Sequence, residues 1–74
     1  MSTKVSKKSV RVYTTSYRFS HGKNPRGFGR WCFEIDAPDG SILHRFYTAN
    51  YGKAKADAIS EAASIGSTSV RVMS

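Results

Sequence analysis

Apolar and polar residues alternate most regularly between residues 30 and 37. Three apolar residues occupy every second position of this segment: Trp31, Phe33 and Ile35. A period of two predicts a strand with one buried face. The sequence Pro38-Asp39-Gly40 then supplies turn chemistry, and the segment from Ser41 to Tyr47 returns as a second apolar run. The pattern therefore predicts an antiparallel hairpin.

A helical period replaces the alternation after residue 50. One apolar stripe runs through Tyr51, Ala54, Ala58, Ile59, Ala62 and Ile65. This spacing predicts a helix from about Tyr51 to Ile65, capped at its start by Thr48 or Asn50 and ended by Gly66 in the left-handed conformation. Residues 69–73 alternate again, with Val70 and Val72 inward, and predict a final short strand.

The first part of the chain is rich in Val, Tyr, Thr and Phe from Ser9 to Ser20, which predicts one long strand. Its apolar phase changes midway, as expected of either a bulge or burial on both faces. The next segment, His21–Gly29, contains three glycines and a proline and is typical of a loop. Residues 1–8 are polar and charged and are interpreted as a mobile basic arm before a single domain at residues 9–74.

The predicted fold class is therefore α+β, with a small antiparallel sheet in the order β-β-β-α-β and one helix packed on one of its faces. The other sheet face is expected to be partly open. The third strand is ambiguous, and we expect Phe46 to point inward. Arg45 and Tyr47 then point outward, because burying an unpaired Arg45 is costly.

This open face is expected to carry cations and tyrosines: Arg11, Tyr13, Arg45, Tyr47 and Arg71. Cations suit phosphate groups, and exposed rings suit base stacking. The tyrosines equally suit ordinary cross-strand packing, and the pattern leaves both interpretations open.

The charge of the chain is unevenly distributed. The formal net charge is +7 for 74 residues. Residues 1–31 hold eight Lys and Arg residues and no carboxylate, whereas residues 32–74 hold four cations and all five acids. Such asymmetry concentrates positive potential on one part of the surface and favours a polyanionic partner over a merely solubilising role.

Catalytic and metal-binding patterns are weak. Cys32 is the single cysteine, so no internal disulfide forms, and the chain has no paired Cys or His spacing for zinc. Glu34 and Asp36 are interpreted as partners of Arg30 and Arg45 rather than as an acid and base pair. A contact between Cys32 and His44 across the hairpin lacks an orienting third group. We therefore expect no enzyme activity, no cofactor and no metal.

The targeting and membrane patterns are also weak. No apolar run follows the charged residues at the beginning of the sequence, and no stretch approaches the roughly 18 apolar residues of a membrane span. We therefore expect a cytoplasmic protein that does not bind membranes. An exposed strand edge is compatible with a monomer or a weak dimer.

The loop Gly22–Arg30 is the strongest candidate binding segment. Its glycines let backbone N–H groups approach phosphate, and Lys23, Arg26 and Arg30 add charged hydrogen bonds. It lacks the Lys-Ser/Thr ending of a nucleotide-binding P-loop. Phe28 at the tip either stacks on a base or folds back against Trp31, and folding back is the favoured alternative.

The segment Arg26-Gly-Phe-Gly-Arg-Trp-Cys-Phe-Glu-Ile35 resembles the core of the Apetala-type DNA-binding domain, which also occurs in related form at the N-termini of phage and transposon integrases. The later run Leu43-His-Arg-Phe-Tyr-Thr48 and the alanine-rich helix extend the resemblance over roughly residues 17–63. It implies a three-stranded sheet that contacts DNA through Arg26, Arg30 and Trp31, with Arg18 as a further candidate. Phe28 stands where the family has tryptophan, and His44 where it has glycine.

The sequence thus predicts a small nucleic-acid-binding protein, with DNA favoured over RNA. The predicted binding residues are Arg18, Lys23, Arg26, Phe28, Arg30, Trp31, Arg45 and Tyr47. The alternative is a small inhibitor or adaptor, encoded by a phage or another mobile element, that binds a host protein or nucleoprotein complex in the manner of anti-CRISPR proteins. A basic face serves either partner, and the sequence leaves both open.

Overall fold

A computed structural model describes residues 6–73 and shows four strands and two α-helices. The elements in chain order are β1 (Arg11–Tyr13), α1 (Thr15–His21), β2 (Phe28–Asp36), β3 (Ile42–Asn50), α2 (Tyr51–Ser64) and β4 (Ser69–Met73), preceded by a 3₁₀ helix at Lys7–Ser9. The strands form one sheet in the order β1-β4-β2-β3. The α+β class and the packing of a helix against the sheet are confirmed.

The β2–β3 hairpin forms where the alternation predicts it. Its register places Trp31 opposite Tyr47 and Ile35 opposite Leu43, and β4 adds Val70 and Val72 beside β2. Four side chains of this layer are completely buried: Phe33, Ile35, Val70 and Val72. Burial of each contributes roughly 1.5–3 kcal/mol, so this short row supplies much of the stability available to a small domain.

Helix α2 covers the inner face of the sheet through small side chains: Ala54, Ala58, Ala62 and Ala63. Alanines let the helix axis lie close to the strands. The helix ends as predicted, because Gly66 has a φ of 83° and Ser67 donates its N–H to the carbonyl of Ala62 at 2.8 Å. This left-handed ending lets the chain reverse directly into β4.

The long strand predicted for Ser9–Ser20 is wrong. Within this segment only Arg11–Tyr13 forms a strand, and it pairs in parallel with β4, so the sheet is mixed rather than purely antiparallel. The part of the segment from Thr15 onward belongs to α1, whose Tyr17 is buried with its ring 5.5 Å from that of Trp31. Gly22 ends this helix with a φ of 70°. Packing of one tyrosine and a glycine terminator therefore override the strand propensity of the residues between them.

The orientation predicted for the third strand is also wrong. Tyr47 packs against the core and Phe46 faces outward, because the hairpin register places Phe46 opposite Cys32 on the open face. Arg45 shares the inner side with Tyr47. Its position on the edge strand lets the guanidinium extend beyond the core, where it donates to the carbonyl of His44 at 3.1 Å and lies 3.8 Å from Glu61. The expected cost of burying an unpaired Arg45 therefore does not arise.

The last residues of the predicted basic arm have regular structure. Lys7–Ser9 forms the 3₁₀ helix that leads into β1, and the side chain of Ser6 accepts a hydrogen bond from the N–H of Lys8 at 3.2 Å. Residues 1–5 of the predicted arm lie outside the described residues.

Candidate nucleic-acid interface

The open face of the sheet is divided into two chemically different halves along β2. At the half that ends in Asp36, Arg71 donates to Asp36 at 2.6 Å and to Glu34 at 3.2 Å. His44 completes this cluster through a contact of 3.0 Å with Glu34. Arg71 and His44 are therefore the partners of these acids, and the prediction that Arg30 and Arg45 pair with them is wrong. The hydrogen bond from Arg71 holds the pKa of Asp36 below its usual value.

The other half of the face begins at Phe28, roughly 26 Å from Asp36 at the usual rise of a strand. The preceding loop is held to the domain by the carbonyl of Gly27, which accepts from the indole N–H of Trp31 at 3.1 Å and from the backbone N–H of Tyr51 at 2.8 Å. Pro25, two residues before Gly27, is buried. Gly27 adopts a φ of 86°, a conformation that favours glycine. These contacts give the basic loop a defined position at one end of the sheet.

The loop places its cations toward solvent. Lys23 and Arg26 are exposed, and Arg30 follows on the open face of β2. Arg18 is exposed on α1, which precedes the loop and packs against β4 and Trp31. The loop therefore brings Lys23 and Arg26 next to the start of β2, where Arg30 lies, whereas Arg18 lies on the helix that precedes the loop.

Two aromatic rings accompany these cations. Phe28 is 73% exposed on β2, and Phe46 is 54% exposed on β3. The prediction that Phe28 folds back against Trp31 is therefore wrong. The guanidinium carbon of Arg30 lies 4.8 Å from the centroid of the Phe46 ring, which is a cation–π arrangement. We call the surface formed by Lys23, Arg26, Phe28, Arg30 and Phe46 the basic aromatic patch.

The cations of the patch have no acidic side chain within ion-pair distance. All five Asp and Glu residues lie within residues 6–73, and each ion pair that they form with another described residue uses a basic residue from the second half of the chain: His44, Arg45, Lys53 or Arg71. Lys23, Arg26 and Arg30 are therefore not neutralised by ion pairs with the carboxylate side chains of the protein.

The remaining predicted site residues lie elsewhere. Trp31 is 6% exposed and belongs to the core, so it holds the loop rather than offering a surface for contact. Arg45 and Tyr47 lie on the helix side of the sheet, and Arg45 is close to Glu61. Burial raises the pKa of Tyr47, and its hydroxyl is buried with no hydrogen-bond partner among the described residues.

The sequence analysis predicts Phe46 to be buried, whereas the structure exposes its ring on the open face. The pairing could have been found by counting back from the turn: with Trp31, Phe33 and Ile35 inward, the hairpin register places residues 43, 45 and 47 inward as well. Phe46 then necessarily faces outward.

Residues 6–73 offer few other groups that could bind a metal or act in catalysis. No group of three or more His, Cys, Asp or Glu side chains has a metal-binding arrangement, and no pocket is enclosed. Burial raises the pKa of Cys32, with a further contribution from Glu34, so its thiol is a weak nucleophile at neutral pH. Cys32 lies opposite Phe46, whereas His44 lies opposite Glu34, so the considered thiol–imidazole couple is not formed.

The helices in the described part of the chain are too short and too polar to cross a membrane.

Comparison of the chain with protein-family models, with curated proteins and with solved structures finds no match in any of the three.

Proposed function

We propose that the protein binds nucleic acid through the basic aromatic patch. The observation that carries this proposal is the position of Arg30, which is exposed, lies against the Phe46 ring at 4.8 Å and has no carboxylate partner among residues 6–73. Lys23 and Arg26 extend the positive charge along the loop, and Arg18 extends it onto α1. Phosphates attract such a group of cations, and exposed rings offer contact area for bases.

The cations of the patch suit two kinds of contact, one with phosphates and one with bases. Lys23 and Arg26 are placed in the loop with side chains in solvent, which suits phosphate binding without sequence preference. Arg30 has both a charge and a planar group beside an aromatic ring, so it suits contact with a phosphate or with a base plane. The inferred partner is nucleic acid, with DNA favoured over RNA.

Two matched double variants test this function. Arg26→Gln with Arg30→Gln removes two charges from the patch, whereas Lys7→Gln with Lys8→Gln removes two exposed charges near the start of β1. Each phosphate contact contributes about 0.7 to 0.9 of a decade in affinity at about 0.1 M salt, so the patch variant should bind labelled DNA roughly 30-fold more weakly. The control variant should bind much closer to the wild-type protein. Equal losses in both variants, or no binding by the wild-type protein, would reject the proposed site.

A protein partner is the second candidate function, in which the chain acts as an inhibitor or adaptor encoded by a mobile element. Strand β3 favours it, because within the described part of the chain its nine residues pair with β2 on one side only, and Ile42 is exposed at its start. Such an edge accepts a strand from another protein. Retrieval of a defined protein complex by the tagged chain after nuclease treatment, together with absent nucleic-acid binding, would support this function over the first.

A further inference from the structure

The rings of the basic aromatic patch project from a sheet face that no other element of residues 6–73 covers. Both helices lie elsewhere: α2 packs on the inner face, and Tyr17 of α1 belongs to the same inner core. Phe28 and Phe46 therefore expose large apolar side chains at positions where a strand normally carries polar residues. Exposed aromatic residues beside unpaired cations mark a surface that contacts a ligand with flat apolar groups and negative charge.

Polar side chains that can form hydrogen bonds lie next to the two rings. Thr48 is the cross-strand partner of Arg30, and Asn50 is the partner of Phe28, and both are exposed. Their side chains offer hydrogen-bond donors and acceptors next to each ring. Beside Phe46 the same row continues with Cys32 and Met73, which are half-buried and add no charge. The acids of the face, Glu34 and Asp36, lie further along β2 and are paired with Arg71.

The spacing of the rings bears on the form of the nucleic acid. Phe28 and Phe46 are separated by four positions along the strand direction, since Cys32 is the partner of Phe46. Four positions correspond to about 13 Å. Bases in a duplex strand are stacked at about 3.4 Å, and their planar faces are covered by neighbouring bases. Two rings at this separation therefore cannot stack on base faces of an intact duplex, but they can stack on separated bases of an unpaired strand.

We infer that the basic aromatic patch binds single-stranded nucleic acid in preference to duplex, with bases stacked on Phe28 and Phe46 and the backbone held by Lys23, Arg26 and Arg30. This inference rests on the proposed function and specifies its substrate class. Arg30 contributes a second planar group over the Phe46 ring, and its guanidinium offers a further surface on which a base can stack.

The test compares labelled strands of about 12 nucleotides, as single-stranded DNA, single-stranded RNA and the corresponding DNA duplex, by fluorescence anisotropy with the full chain. Phe46→Leu and Phe28→Leu keep an apolar side chain but remove the aromatic ring. Each should weaken binding of the single strands by about 5- to 150-fold, the range measured for the loss of one base stack. Phe46→Tyr retains the ring and should bind close to the wild-type protein.

Ile42→Ala is the matched control for an apolar change on the same face, because Ile42 is exposed at the opposite end of β3. It should leave single-strand binding unchanged. Circular dichroism melting checks that all variants fold.

A second measurement uses the wild-type chain alone: a saturating single strand should slow alkylation of Cys32, which lies opposite Phe46 on the open face, whereas the duplex should not.

Duplex binding as tight as single-strand binding, together with unchanged affinity in Phe28→Leu and Phe46→Leu, would overturn this inference and leave the proposed function standing. Absence of binding to all three nucleic acids would overturn both. Loss of single-strand affinity in the two leucine variants, with recovery in Phe46→Tyr, would support stacking as the mode of binding.

Discussion

The indole N–H of Trp31 donates a hydrogen bond of 3.1 Å to the carbonyl of Gly27, and this bond connects the core of the sheet to the basic loop. Replacement of Trp31 by Phe removes the donor and part of the buried ring. We expect the free energy of unfolding to fall by about 1–3 kcal/mol, measured by urea denaturation. Tyr51→Phe, which keeps the ring packed 5.0 Å from Trp31, is the control and should be nearly neutral. A neutral Trp31→Phe would contradict this role.

The conformation of Gly27 predicts a second effect on stability. A Cβ added at Gly27 meets no atom within 4 Å, so the cost of Gly27→Ala comes from its φ of 86° alone. We expect a loss of about 1–2 kcal/mol in thermal or urea unfolding. Gly29→Ala is the matched control, because Gly29 also has open space around its Cβ position but lacks a positive φ. Equal losses of unfolding free energy in both variants would show that the positive φ of Gly27 is not the cause of the destabilisation.

The hydroxyl of Tyr47 predicts a stabilising substitution. It is buried without a hydrogen-bond partner among the described residues, so Tyr47→Phe removes a desolvated polar group and keeps the ring packed 5.8 Å from Phe33. We expect unfolding to need up to about 1 kcal/mol more free energy than in the wild-type protein. Calorimetry or urea denaturation measures the change. Destabilisation by more than this amount would show that the hydroxyl has a partner in solution.

The lowered pKa of Asp36 predicts how stability depends on pH. Because the hydrogen bond from Arg71 keeps the pKa of Asp36 below its unfolded value of 3.8, its stabilising effect is present above that value and is lost as the pH falls through the folded pKa. Asp36 is partly exposed, so the effect should be about 0.2–1 kcal/mol. Asp36→Asn should therefore flatten the decrease in unfolding free energy on acidification. An unchanged decrease in this variant would contradict the assignment.

The fold was predictable where one periodic pattern decided the structure. The alternation of Trp31, Phe33 and Ile35 fixed β2, and the alanine stripe with Gly66 fixed α2. The segment that became α1 was not predictable from strand propensity, because its conformation depends on the packing of Tyr17 against Trp31. The ending of α1 did carry a sequence pattern, with Arg18 and His21 in the last turn before Gly22.

The candidate site was predictable in part. Lys23, Arg26 and Arg30 followed from charge and loop composition, since residues 1–31 contain no carboxylate side chain. The contribution of Phe46 did not follow, because a hydrophobicity pattern assigns an aromatic residue to the core before an arginine. On the edge strand β3 the arginine takes the inner side and the aromatic residue the outer one, because the long side chain of Arg45 reaches solvent from the inner side. The proposed likeness to the Apetala-type domain stays a prediction.

The most direct test of the central claim is the salt dependence of binding to a single strand, measured between about 50 and 200 mM salt. Three phosphate contacts, made by Lys23, Arg26 and Arg30, should give a slope of about −2.1 in a plot of log affinity against log salt. Arg26→Gln with Arg30→Gln should reduce the magnitude of this slope by about 1.4. A slope near zero, or the same slope in the wild-type protein and the variant, would contradict nucleic-acid binding through the basic aromatic patch.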